Sequence, residues 1–149
     1  MLLSRRCEYA IRAVLYLASQ TSAAPLPVRE VSRTLEVPHA FLAKTVRDLV
    51  RADIVSTQPG TGGGLTLARP AAELTLKDVV LAVDGPELFE ACVLRLPGCG
   101  ELQPCPLHEA WVQTRERIDR MLSAATLDAV AEATRAHGFR LSETDVIGS

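Results

Sequence analysis

Three of the four cysteines fall within fourteen residues, as Cys92-x6-Cys99-x5-Cys105, and His108 follows three positions later. Thiolates with imidazole form a soft donor set that suits zinc or an iron–sulfur cluster. Pro97, Gly98, Gly100, Pro104 and Pro106 lie in or beside this stretch. A loop of that composition can wrap backbone N–H groups around an anionic centre. Small zinc modules usually place two thiolates in a close C-x2–4-C pair, and no such pair is present. Wider spacing suits a larger object whose metal corners lie further apart. The spacing therefore favours an iron–sulfur cluster, 2Fe–2S or 4Fe–4S, over zinc. A zinc-stabilised protein and a thiol–disulfide switch are the alternatives. A nucleophilic Cys–His pair would need an orienting third group and a substrate pocket. The sequence offers neither, so no enzyme and no small-molecule substrate are expected.

The remaining cysteine, Cys7, opens a helical segment and is expected to be buried as a small apolar residue. His137, next to Gly138, reads as a helix C-terminal residue. The N-terminal stretch MLLSRRCEYAIRAV carries charges throughout and lacks the apolar run of a signal peptide. No apolar run is long enough to cross a membrane. A cytoplasmic protein with reduced thiols is the expectation, which favours metal over disulfide for the cysteines.

The net charge of −2 conceals an asymmetry. Residues 1–70 hold nine Lys/Arg against five acids, a balance of +4, whereas residues 71–149 hold seven against thirteen, a balance of −6. A basic half joined to an acidic half suggests a polyanion-binding module beside a partner or regulatory module.

The elements that position these groups follow from periodicity. Residues 8–19 carry Ile11, Val14, Leu15 and Ala18 at helical spacing. A second helix is predicted over 28–35, with Val31 and Leu35 on one side. After the break EVPHAF, a third runs from about His39 to Ala52. Its expected apolar side is Leu42, Val46, Leu49 and Val50; its polar side is Ala40, Lys44, Arg47 and Arg51. Two helices across so short a break fit a helix-turn-helix, although the usual turn glycine is absent. IVSTQ, PGTGGG and LTLAR then read as a hairpin with a glycine tip, a wing. Its glycines serve turn geometry and close approach to phosphates or a minor groove. A nucleotide phosphate loop is excluded because no Lys-Ser/Thr and no helix follow. Pro70 closes this module.

Thr75 is predicted to cap a helix over 76–83 with Asp78 as the capping-box acid. The cysteine loop spans about 90–105. Beyond Pro106, Leu107, Ala110, Trp111, Thr114, Ile118, Met121, Leu122 and Ala125 recur at steps of 3 and 4. So long a stripe must be buried somewhere, and a homodimer through this helix is expected. Thr126 is expected to cap a last helix. The predicted fold is mainly α with a small β-hairpin wing: a winged helix-turn-helix domain (1–70), a cluster-binding loop and long dimerisation helix (71–137), and a flexible tail (138–149).

The stretches LSRRCEYAIRAVLYLA, VPHAFLAKTVRDLVRADIV, TGGGLTLARP, LTLKDVVLAVDGP and the three-cysteine loop, in this order, resemble the bacterial Rrf-type winged-helix regulators. The resemblance covers about residues 1–135. It implies a homodimeric transcription regulator, typically a repressor, bound to an inverted-repeat operator in double-stranded DNA and tuned by an iron–sulfur cluster. Cys92, Cys99 and Cys105 match the ligand cysteines. His108 matches the histidine that completes the site in the IscR-like branch, and Glu8 matches the acidic ligand of the NsrR-like branch. Between the two, His108 is favoured, because i, i+3 spacing from Cys105 puts both on one face if both lie in the first turn. DNA contacts are expected from His39, Ala40, Lys44, Arg47 and Arg51 on the third helix and from Thr61, Gly62, Gly63 and Gly64 in the wing. The x6 spacing is one residue longer than the commonest pattern. Pro59 stands where an arginine is common, and Ala40 and Ala43 replace polar residues.

Overall fold

A computed structural model describes residues 2–144; positions 145–149 of the expected tail lie outside the described residues. The helices are α1 (Arg5–Ala18), α2 (Val28–Leu35), α3 (His39–Arg51), α4 (Leu76–Asp84), α5 (Glu87–Glu90), α6 (His108–Ala124) and α7 (Leu127–His137). Strands β1 (Val55–Gln58) and β2 (Gly64–Leu67) pair antiparallel, with Val55 opposite Leu67 and Gln58 opposite Gly64.

α1 is the central helix. Tyr9, Ala10, Ala13, Val14, Leu15, Tyr16 and Leu17 are all buried, more than the single stripe its periodicity predicted. A helix buried on nearly all sides needs partners on nearly all sides. α1 has them in α3, α4 and α7. The resulting core joins Val31, Leu35, Leu42, Leu49, Ile54 and Leu65 to Leu74, Val79 and Leu127. The apolar interior therefore does not end at Pro70: α4 and α7 complete the core of the winged-helix part.

On α3 the predicted apolar side holds for Leu42, Val46 and Leu49, which are buried, but Val50 is 40% exposed. Val50 lies about 80° around the helix from Leu42, past the edge of the stripe. Thr45 takes the place on the other flank, fully buried, with its hydroxyl donating to Phe41 O at 2.8 Å. The missing turn glycine is replaced by Glu36, which adopts φ 56° after α2. A non-glycine residue there costs roughly 1–2 kcal/mol. The Glu36 carboxylate accepts the N–H groups of Glu143 and Thr144 at 3.1 and 3.2 Å and the Thr144 hydroxyl at 3.0 Å. Leu141 packs against the main core. The described part of the tail thus lies along the helix-turn-helix.

α4 starts at the expected capping box: Asp78 N–H donates to Thr75 Oγ1 at 3.2 Å, and Thr75 N–H to Asp78 Oδ2 at 2.9 Å. It ends at Asp84, whose carboxylate accepts the backbone N–H of Ser4 at 2.9 Å and also the Ser4 hydroxyl. Thr126 occupies the N-cap position of α7 without a side-chain cap bond. Its segment is fixed instead by main-chain bonds, Leu76 N–H to Ala125 O and Leu127 N–H to Leu74 O, both 2.9 Å.

α6 divides the predicted stripe between two faces. Leu122 is buried with Cys7 and Val80, and Ile118 packs against them. Lys77 on α4 donates to Asp119 at 2.8 Å. Leu107, Ala110, Thr114 and Met121 face outward, Met121 at 60% exposure. Only one residue of the 17-residue helix is buried.

Candidate metal centre and nucleic-acid interface

The cysteine loop leaves α5 at Ala91 and re-enters regular structure at α6. Two left-handed positions, Arg95 (φ 54°) and Gly98 (φ 71°), fold it back on itself. The Sγ atoms of Cys92, Cys99 and Cys105 lie within 4.8 Å of one another. Cys92 and Cys105 are 3.7 Å apart, and the Cys105 N–H donates to Cys99 Sγ at 3.4 Å. His108 Nδ1 is 3.4 Å from Cys99 Sγ. The imidazole therefore touches one thiol at the edge of the triad. His108 opens α6, and its N–H donates to Cys105 O at 3.0 Å. Glu8, on α1 and half-buried, does not join the group among the described residues.

A cavity of about 310 Å³ opens beside the thiols, lined by Cys92, Cys99, Cys105, His108, Trp111 and Arg115 among others. The sequence places Trp111 in the apolar stripe expected at a dimer interface and gives Arg115 no role; the fold puts both on the thiol cavity. Their signal was present: they follow His108 at steps of 3 and 4, on the same helix face.

The thiols are chemically unequal. The Leu96 backbone N–H, with help from Leu94 and the other cysteines, lowers the Cys92 pKa to about 7 against partial desolvation. At Cys99 the Cys105 N–H favours the thiolate, but desolvation and the neighbouring sulfurs outweigh it and the pKa is raised. Burial, reinforced by Asp84, pushes Cys7 up to about 12. Thiolate is the reactive form. In metal-free protein, alkylation of Cys92 is expected to rise with pH to half its maximal rate near pH 7, while Cys7 stays unlabelled until the chain is unfolded. Peptide mass mapping across a pH series checks both; native labelling of Cys7 at pH 8 would contradict its burial.

The expected DNA-facing residues of α3, His39, Ala40, Lys44, Arg47 and Arg51, are all exposed. Their cations differ in freedom. Arg51 leans toward Asp48 at 3.7 Å, and Asp48 also pairs with Arg6 of α1. Lys44 and Arg47 carry no ion pair among the described residues. In the wing, Thr61 and Gly62 are exposed at the tip, whereas Gly63 and Gly64 are half-buried. A Cβ on Gly63 would lie 2.1 Å from Gln58 O, and one on Gly64 would lie 2.2 Å from Leu26 O. These two glycines admit the protein's own backbone, a role the sequence reading did not assign them.

The Rrf2 family model, described as an iron-dependent transcriptional regulator, matches residues 3–133. A putative HTH-type transcriptional regulator of Aquifex aeolicus is 26% identical over 144 residues, 95% of this chain and 99% of that protein. The HTH-type transcriptional regulator IscR of Photorhabdus laumondii is 29% identical over 128 residues, 86% of this chain and 77% of that protein. The solved structure of CymR, the global cysteine regulator of B. subtilis, superposes with a TM-score of 0.76 at 21% identity, over 88% of this chain and 96% of that one. That likeness concerns the fold. The exposed basic face of α3, the paired wing beside it and the family match over residues 3–133 agree: this chain belongs to the Rrf2 family and is a DNA-binding winged-helix transcription regulator, not an enzyme, with a cysteine cluster compatible with a metal or iron–sulfur centre.

Proposed function

We propose that this regulator is a cytoplasmic homodimeric repressor whose operator affinity is tuned by an iron–sulfur cluster held by Cys92, Cys99 and Cys105, with His108 as fourth ligand. The observation that carries this reading is the convergence of three thiols on an open cavity of about 310 Å³ with an imidazole at its rim. The donor set is soft, and the cavity is roomier than a lone ion needs. When bound, the cluster supplies a centre whose redox state or integrity changes with the signal. The chain then offers a contact route to DNA. α5 follows Asp84, Asp84 binds Ser4 at the start of α1, and Arg6 of α1 binds Asp48 of α3.

One observation favours a zinc ion instead. Two thiolates on a tetrahedral zinc with Zn–S near 2.3 Å lie about 3.8 Å apart, close to the 3.7 Å between Cys92 and Cys105. Anaerobic purification separates the readings. A brown protein with visible absorption supports the cluster; a colourless protein containing one equivalent of zinc replaces it.

The outward residues Ala110, Thr114 and Met121 of α6, with Leu107 just before it, are the proposed dimer contact. Sedimentation at micromolar concentration is expected to give a dimer, and a monomer independent of concentration would remove this face from the account. Arg47 is the proposed leading DNA contact because no carboxylate among the described residues pairs with it. For Arg47→Ala, affinity for a duplex selected from a random pool is expected to fall by about 5–150-fold if Arg47 reads a base. If it contacts a phosphate, the salt slope should drop by about 0.9. An unchanged affinity and slope would mean that another face meets DNA.

A further inference from the structure

We infer that Arg115 and Trp111, neither of them a ligand, position the thiol centre and balance its charge; the inference rests on reading the loop as a metal site. Arg115 Nη1 donates to Glu90 O at 2.8 Å and to Ala91 O at 3.2 Å. Trp111 Nε1 donates to Ala91 O at 2.8 Å. Ala91 immediately precedes Cys92, and Glu90 is the last residue of α5. The two carbonyls belong to a helix end, where backbone acceptors lack intrahelical partners. α6 satisfies both.

The consequence is geometric. Cys105 is fastened to the first residue of α6 through the His108 N–H at 3.0 Å. The Cys92 end is fastened to the same helix through Trp111 and Arg115. His108 and Arg115 are seven residues apart, about 10 Å along a rigid axis. One helix therefore holds both ends of the loop and fixes the span between the outer two thiols. Trp111 also stands between two cavities: it lines the thiol cavity and a second one of about 720 Å³ bounded by Leu2, Leu3, Ser4 and Asp84.

The second role is electrostatic. Three thiolates bring excess negative charge to any metal they hold, and Glu90 and Glu101 line the same cavity. Arg115 lines it too, is half-buried, and makes no ion pair among the described residues. A guanidinium keeps its charge at all accessible pH. Its hydrogen bonds go to neutral carbonyls, so no carboxylate is paired with it directly and its charge is available to the cavity it shares with the thiols.

Cobalt(II) is the probe, because its thiolate charge-transfer absorption reports ligation without requiring cluster assembly. The full chain, metal-free and anaerobic, is titrated as wild type, Arg115→Gln, Arg115→Lys and Trp111→Phe. Removing an outer-shell partner of this kind typically lowers metal affinity roughly 10–100-fold, and that loss is expected for Arg115→Gln. Arg115→Lys keeps the charge without the fork and is expected to recover part of it, with the Lys–Gln difference shrinking at high salt. Trp111→Phe keeps the ring, loses the N–H and is expected to bind more weakly than wild type. Far-ultraviolet circular dichroism and melting of the metal-free variants establish that each is folded. If wild type develops the band and the folded Arg115→Gln and Trp111→Phe proteins bind cobalt as tightly, the positioning role is wrong while the metal site stands. If wild type develops no thiolate band, the metal-site reading falls and this inference with it.

Discussion

Cys99→Ser is expected to abolish the visible absorbance of anaerobically purified protein, whereas Cys7→Ser is expected to keep it. The reasoning is positional. Cys99 Sγ meets the Cys105 N–H at 3.4 Å and His108 Nδ1 at 3.4 Å. Replacing it removes a soft donor and also unsettles the imidazole proposed as fourth ligand. A serine hydroxyl is a poor substitute for a thiolate at iron. Cys7 is fully buried with Val80 and Leu122; oxygen in that apolar setting costs stability, not metal. Retained absorbance in Cys99→Ser would break the ligand assignment. Lost absorbance in a folded Cys7→Ser protein would break the separation of the two cysteine environments. His108→Ala and Glu8→Ala extend the comparison. Glu8 lies away from the thiols within this chain, so a cluster perturbed only by Glu8→Ala would require a partner subunit to deliver that carboxylate.

What the sequence made legible was mostly local. The α4 capping box, the extent of α2 and the hairpin after α3 depend on residues within a few positions of one another, and pattern reading captures such features. Three features escaped it because their causes are distant in sequence. α1 is buried nearly all round because α4 and α7 return to it, and nothing within residues 1–70 announces Leu127 as a core residue. The helix-turn-helix turn tolerates Glu36 at positive φ, where its carboxylate is met by residues more than a hundred positions later. The predicted α6 stripe divides because α4 and α5 claim only one side of it. In the candidate metal centre, residue type and spacing pointed to the three cysteines whose sulfurs the fold brings within 4.8 Å of one another. Helical spacing puts Trp111 and Arg115 on the His108 face, but the bonds they make were not legible because the acceptors are backbone carbonyls, which have no sequence signature.

Gly64→Ala is expected to destabilise the fold by about 3 kcal/mol or more, and Gly62→Ala by only about 1 kcal/mol. Both glycines have positive φ, 146° at Gly64 and 79° at Gly62, so both substitutions carry a backbone cost. Their surroundings differ. A Cβ on Gly62 meets nothing within 4 Å, whereas one on Gly64 meets Leu26 O at 2.2 Å, Leu26 C at 2.3 Å and Pro27 N at 2.6 Å. All three are main-chain atoms, so no side-chain rotation relieves the clash. The segment they belong to is bonded to the wing, Leu26 N–H to Leu65 O at 3.0 Å and Leu65 N–H to Leu26 O at 2.7 Å. Separating them leaves buried peptide groups unpaired, at about 1–3 kcal/mol each where water does not replace the partner. Pro27 is the N-cap residue of α2, so the displacement enters the helix-turn-helix directly. Gly64→Ala is therefore expected to lose DNA affinity as well as stability, since it moves the wing and the start of α2 together. Gly62→Ala changes only the tip. Urea unfolding of the two variants beside wild type measures the first effect, and binding to a duplex selected by the wild-type protein measures the second. Gly64→Ala within about 0.5 kcal/mol of wild type, the range of an ordinary surface change, would mean that the Leu26–Leu65 bridge does not hold the wing to the helix-turn-helix.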